Sequence, residues 1–158
     1  MKRVAAIALG SNLRSPWGDR AANLREAVRR IEALGQVRAV SSFYSTAPVG
    51  FADQPDFLNA ALLLETELEP LELLGALLAM ERAMGRERAT AIAKGPRVID
   101  LDLLLMEDVI LVSAELTLPH PAMSERRFVL EPLAEIAPAM IDPVSGHSVA
   151  QMLGELAT

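Results

Sequence analysis

Gly95-Pro96-Arg97-Val98-Ile99-Asp100-Leu101-Asp102-Leu103-Leu104-Leu105 sets two carboxylates one residue apart in an otherwise apolar run. Side chains alternate across a strand, so Ile99, Leu101 and Leu103 face one way, into a core, and Asp100 and Asp102 face the other. Neighbouring carboxylates on a buried strand repel each other and lose solvation unless positive charge sits between them. The usual remedy is a divalent cation with oxygen ligands, and Mg²⁺ held this way keeps waters and takes phosphate oxygens. Arg97, three residues before Asp100 and after a Gly-Pro turn, suits phosphate beside such a metal. A solvated sheet face bearing two surface acids fits the same D-x-D spacing, so the rest of the chain has to decide.

Outward from this strand, residues 86–97 (RERATAIAKGPR) form a basic loop in an acidic protein. Its Arg86, Arg88, Lys94 and Arg97 stand close in sequence to the acids, a combination that suits a triphosphate. A solvated, locally charge-balanced loop reads equally well. Further upstream, Val4–Leu9 is a buried strand closed by Gly10-Ser11-Asn12, and residues 20–34 have helical spacing up to Gly35. Residues 37–44 read as one strand, 45–56 as a loop, 57–67 as a strand, and 70–84 as a helix that Gly85 ends. Downstream, residues 109–112 are expected to pair with the 99–106 strand across Glu107-Asp108. Residues 116–128 are loop with a short helical turn, 128–136 are helical despite Pro132, and 149–156 form a last helix. This order predicts an α/β (α+β) fold of the ferredoxin-like split βαβ type, with helices covering one sheet face and long loops gathered at one end.

The chain has 158 residues, 51% hydrophobic and 23% charged, which suits a single globular domain, 1–158, with a full core. A net charge of −6 with 4% aromatics argues against nucleic-acid binding. The chain has no cysteine, which excludes disulfides and thiolate metal sites. The apolar run after Met1-Lys2-Arg3 is too short for a signal peptide, and none approaches a membrane span. The cytoplasm is therefore the expected compartment, and a chain of this length is expected to hold no second, fused enzyme.

Other residues carry weaker signals. Phe57 and Asn59 share a strand face beside Thr46-Ala47-Pro48-Val49, a way to stack on a flat heterocycle and read its polar edge, or simply a core Phe with a capping Asn. His120 lies between two prolines that limit its backbone, and a lone histidine is more often structural. Arg126 and Arg127 precede Phe128, and spacing does not say which faces phosphate. The turn Gly10-Ser11-Asn12-Leu13 fits an ordinary strand-to-helix connection better than a phosphate cradle; no Walker-type motif is present.

Taken in order, ALGSNL (8–13), SSFYSTAPVG (41–50), DQPDFLNAAL (53–62), GPRVIDLDLLL (95–105) and LTLPHPAMSERRFVLEPLAEIAP (116–138) closely resemble the 6-hydroxymethyl-7,8-dihydropterin pyrophosphokinases of folate biosynthesis. The resemblance runs from about Val4 to Leu153. It implies a ferredoxin-like sandwich, with an antiparallel-containing sheet and helices packed on its faces. It implies a transferase that moves the β,γ-diphosphate of ATP to the pterin hydroxymethyl group and releases AMP; a monomer is the expected state. Asp100 and Asp102 match the aspartates that hold a pair of Mg²⁺ ions along the ATP phosphates. Arg86 and Arg97 match arginines that assist transfer, with Arg88 in the loop between them. Thr46, Pro48, Val49, Phe57, Asn59 and Phe128 match positions around the pterin, Phe57 and Phe128 stacking on its two faces. His120 and Arg126 match the nucleotide side, with Glu81 on a helix near it. The chain departs from the family pattern at Ala93-Lys94, where relatives often carry Arg-Trp, in a loop one residue longer. It also departs at Phe57, where tyrosine is frequent.

A non-catalytic ligand-binding module explains the fold and acidity but not acids and arginines clustered on one strand. A metal-dependent phosphohydrolase explains the acids but has no need of the Phe57/Asn59/Phe128 pocket.

Overall fold

The computed structural model describes residues 1–47, 55–85 and 97–156. Chain order is β1 (Arg3–Ser11), α1 (Arg20–Ile31), β2 (Gln36–Val40), β3 (Tyr44–Thr46), β4 (Phe57–Thr66), α2 (Pro70–Ala83) and β5 (Asp100–Met106). There follow β6 (Leu111–Val112), β7 (Thr117–Leu118), α3 (Arg127–Ile136) and α4 (Val149–Leu156). The main sheet runs β2-β4-β1-β5, all antiparallel, with β3 on the same edge of β4 as β2. This is the strand order of two interleaved βαβ units, the ferredoxin-like arrangement that the element order predicts.

Helix ends follow local chemistry. Asp19 caps α1 by accepting the Ala22 N–H at 3.0 Å, and α2 opens with Pro70 and a Glu69/Glu72 capping box. Gly85, at φ +102°, lies just past the end of α2 in the left-handed region that glycine favours.

Three expectations are corrected. Helices cover both faces of the sheet, not one. Leu24, Ala27 and Ile31 of α1 and Leu73 and Leu77 of α2 pack with Ile7, Leu9, Leu62, Leu64, Ile99, Leu101 and Leu103 on one side. Leu130 and Leu133 of α3 and Val149 and Met152 of α4 pack with Ala6, Ala61, Leu104 and Leu105 on the other. A buried side chain on each face of a strand needs apolar cover on both sides, and the near-continuous apolar run 103–106 reflects this.

The expected strand 37–44 is two strands. The Ser41 N–H donates to Ala61 O at 2.9 Å, and Ser41 Oγ accepts the Ala61 N–H at 2.9 Å. The hydroxyl thus stands in for a ladder carbonyl. From Val40 to Tyr44 the chain uses one more residue than its partner segment, Leu62 to Asn59.

The 109–112 segment does not pair with β5. Leu111 and Val112 pair with Leu118 and Thr117 instead. The outer edge of β5 is already engaged: the Leu101 N–H donates to Glu81 Oε2 at 2.8 Å, and Leu104 O accepts the His120 N–H at 2.7 Å.

Candidate active site

One face of the sheet builds the floor of the site. In register, Tyr44 (β3), Asn59 (β4), Gly10 (β1) and Asp100 (β5) form one row. Ala61, Ala8 and Asp102 form the next, and Thr46 and Phe57 pair beside them. Strands lie about 4.8 Å apart, so Asn59 and Asp100, two strands apart, stand about 10 Å from each other across Gly10. A Cβ on Gly10 would meet Asn59 Oδ1 at 3.3 Å, Phe57 Cδ1 at 3.7 Å and Asp100 Cβ at 4.0 Å. Glycine there keeps a shallow channel open between the aromatic-amide end and the carboxylate end.

The helices supply the walls. A cavity of about 980 Å³ opens over this floor, and its lining includes Thr46, Phe57, Asn59, Glu81, Arg97, Asp100, Asp102, His120, Arg126 and Phe128. Residues from four separated stretches of sequence thus meet in one place. Pro48, Val49, Arg86 and Arg88, together with Ala93 and Lys94, lie outside the described residues.

At the carboxylate end, Arg97 Nη1 lies 3.3 Å from Asp100 Oδ1. The buried Nε of Arg97 has no hydrogen-bond partner among the described residues, so the guanidinium keeps donor capacity beside the acids. Glu81 is buried in α2, and its Oε2 holds the backbone N–H between the two aspartates. At the aromatic end, Asn59 Nδ2 donates to Thr46 Oγ1, which fixes the amide.

His120 Nδ1 accepts the Ala122 N–H at 3.2 Å, so the neutral ring carries its proton on Nε2. Burial pushes its pKa below the ordinary histidine value, the Arg126 charge adds to this, and Asp100 opposes it. The Arg126 guanidinium lies 5.8 Å over the Phe128 ring. Arg127 pairs with Glu131 at 3.1 Å and is exposed. Both arginines line the cavity, and they differ in their contacts: Arg126 over Phe128, Arg127 with Glu131.

Two polar residues of the site are missed by the sequence reading. Tyr44 lines the cavity from β3; it lies two residues before Thr46, and period-2 alternation was the available signal. Asn12, 2% exposed, links three segments. Its Oδ1 accepts the Arg97 N–H at 2.7 Å, its N–H donates to Arg97 O at 3.0 Å, and its Nδ2 donates to Pro55 O at 3.1 Å.

Known proteins resemble this chain along nearly its whole length. It is 46% identical to the 2-amino-4-hydroxy-6-hydroxymethyldihydropteridine pyrophosphokinase of Bacillus subtilis, over 86% of this chain and 79% of that one. The Methylorubrum extorquens protein of the same name is 44% identical, over 96% and 92%. The folic acid synthesis protein fol1 of Schizosaccharomyces pombe is 36% identical over 98% of this chain, which spans only 20% of fol1. The crystal structure of Plasmodium falciparum HPPK-DHPS shares the fold at a TM-score of 0.77 and 14% identity, over 98% of this chain and 45% of that one. The family profile for 7,8-dihydro-6-hydroxymethylpterin-pyrophosphokinase matches residues 6–138, a span holding every site residue named above. With that match and relatives of this identity and coverage, the chain belongs to the 7,8-dihydro-6-hydroxymethylpterin-pyrophosphokinase family.

Proposed function

We propose that the chain transfers the β,γ-diphosphate of ATP to the hydroxymethyl group of 6-hydroxymethyl-7,8-dihydropterin, releasing AMP, as a step of folate synthesis. The observation that carries this reading is one sheet face with an aromatic-amide pocket at one end and a carboxylate-arginine cluster at the other, about 10 Å apart across Gly10. That separation suits a flat heterocycle joined through a short arm to a phosphate chain.

The pterin ring stacks between Phe57 and Phe128, with Asn59 reading its polar edge and Thr46, Pro48 and Val49 around it. The hydroxymethyl oxygen attacks the β-phosphorus, a new carbon-oxygen-phosphorus link forms, and the bridge to the α-phosphorus breaks, its oxygen leaving with AMP. The hydroxyl proton is released; no separate general base is evident among the described residues. Arg97, with Arg86 and Arg88, stabilises charge that builds on the transferring phosphates, and His120 and Arg126 hold the nucleotide side. Glu81 acts there by fixing the backbone between Asp100 and Asp102.

The donor set at the acids fits Mg²⁺. Two carboxylates share a face, and no cluster of three or more His, Asp or Glu is found among the described residues. Two protein carboxylates leave coordination places for water and phosphate oxygens. When bound, a pair of Mg²⁺ ions on Asp100 and Asp102 neutralises and orients the triphosphate. One domain, acting as a monomer, carries out this chemistry. No helix among the described residues is long and apolar enough to cross a membrane, which fits work on ATP in the cytoplasm.

Phosphorus NMR of the protein with ATP, Mg²⁺ and the hydroxymethyl pterin tests the reading. AMP and a pterin diphosphate are the expected products. ADP as the nucleotide product would mean attack at the γ-phosphorus and another kind of kinase. Asp100→Ala or Asp102→Ala is expected to lower turnover by about 10²-fold or more with the fold intact; full activity in either variant would remove the metal assignment.

A further inference from the structure

Glu135, on the last turn of α3, is exposed, yet its carboxylate receives donors from a single facing segment. The Tyr44 hydroxyl donates to Oε1 at 2.6 Å. The Ser42 N–H lies 3.0 Å from Oε2 and 3.2 Å from Oε1, and the Ser42 hydroxyl donates to Oε2 at 3.0 Å. These donors sit at the break between β2 and β3 and on β3 itself. Hydrogen bonds to a charged acceptor are stronger and more directional than neutral ones.

Phe128 and Glu135 are seven residues apart on one helix, two turns, and therefore share a face. Glu131 and Pro132, midway along that stripe, both line the cavity, as do Phe128 and Tyr44. The rise between Phe128 and Glu135 is about 10 Å. On the sheet, Tyr44 pairs directly with Asn59, and Thr46 with Phe57. The helix that carries one aromatic wall and the strand that borders the other are thus joined at a fixed point two helical turns from Phe128.

We propose that Glu135, through Tyr44 and Ser42, is a positioning residue that sets the gap between Phe57 and Phe128 and so governs affinity for the pterin ring. Tyr44 contributes the ring wall beside Asn59, and Glu135 holds that ring by its hydroxyl. The proposal rests on the pterin reading above and adds a determinant chiefly for that substrate. Its consequence is graded: Asp100 and Asp102 stand on β5, away from the cluster, whereas Arg126 is the N-cap of α3, so ATP affinity shifts less than pterin affinity.

The experiment measures binding of 6-hydroxymethylpterin and, separately, of ATP with Mg²⁺ by calorimetry. The proteins are wild type, Tyr44→Phe, Glu135→Gln and Glu135→Ala, with melting curves for each. Tyr44→Phe is expected to weaken the pterin by about three- to tenfold, and Glu135→Ala by about tenfold or more, with ATP affinity within about twofold. Glu135→Gln, whose amide oxygen still accepts one donor, is expected to recover part of the loss. Adding Tyr44→Phe to Glu135→Ala should cost little more, because the two changes cut one link. Equal losses for both ligands, or a lower melting temperature with unchanged pterin affinity, would overturn the proposal. If Glu135→Ala does not fold, Tyr44→Phe and Glu135→Gln decide it alone. A wild-type protein that binds ATP and no pterin would instead overturn the functional reading itself.

Discussion

His120 gives one ring nitrogen to the backbone and keeps the other for the cavity. With Nδ1 accepting the Ala122 N–H, the neutral ring is a hydrogen-bond donor through Nε2, suited to a phosphate or ribose oxygen. Burial, with the Arg126 charge behind it, holds the pKa below 6.5. The sign of the linked stability follows. The unfolded chain takes up the proton first, so the contribution of this group is whole above pH 6.5 and is lost as pH falls through the lower, folded-state value. His120→Asn offers an oxygen in place of Nδ1 and does not titrate there. Melting temperatures between about pH 7.5 and 5 should therefore fall more steeply for wild type than for His120→Asn. Parallel curves, or an imidazole NMR midpoint at or above the ordinary histidine value, would show that the ring is not held neutral by its surroundings.

At the scale of elements, Asn12 joins the end of β1 to the residues that precede β4 and β5. A two-way bond with Arg97 and a third bond to Pro55 make it a short extension of the sheet built partly from a side chain. Asn12→Ala removes the acceptor of a part-buried backbone N–H and the donor to a carbonyl, so it is expected to cost about 1–3 kcal/mol in urea denaturation. A change under about 0.5 kcal/mol would mean that water replaces the amide freely. In sequence, Gly10-Ser11-Asn12 reads as a plain turn, because a side-chain bond across more than eighty residues leaves no local periodicity. Strand alternation, by contrast, was readable at Ile99, Leu101 and Leu103, since all three must be buried for the strand to hold. It ended where Leu104 enters as an extra residue: Ala6 pairs with Leu105 while Ile7 pairs with Leu103. That bulge turns Leu104 and Leu105 both toward the second core. The break at Ser41 is silent in the sequence for a similar reason, because a hydroxyl in place of a ladder carbonyl does not alter the pattern of apolar residues. The candidate site residues from Asp100 to Phe128 are legible through motif resemblance far more than through spacing. The D-x-D, the lone histidine and the paired arginines each admit an ordinary structural reading until the fold brings them to one cavity.

On the scale of the whole molecule, the sheet separates two cores with different duties. The first, under α1 and α2, stabilises the sheet from behind and includes Leu24 at 0% exposure. The second, under α3 and α4, holds the helix that carries Arg126, Phe128 and Glu135, and includes Leu133 at 0% exposure. Leu24→Ala and Leu133→Ala each remove the same atoms from a fully buried place, and each should cost about 2–5 kcal/mol. Against a typical total of about 5–15 kcal/mol, both variants should remain folded at low temperature. Their effects on binding should nevertheless differ. A cavity beneath Leu133 lets α3 settle toward the sheet, which changes the distance between Phe128 and Phe57. A cavity beneath Leu24 lies behind the strands and leaves that distance alone. Pterin affinity should therefore drop several-fold in Leu133→Ala and stay within about twofold in Leu24→Ala at matched stability. Calorimetry on the two variants separates the cases. Equal losses would mean that the site senses overall stability rather than the placement of α3, and that the two cores act as one.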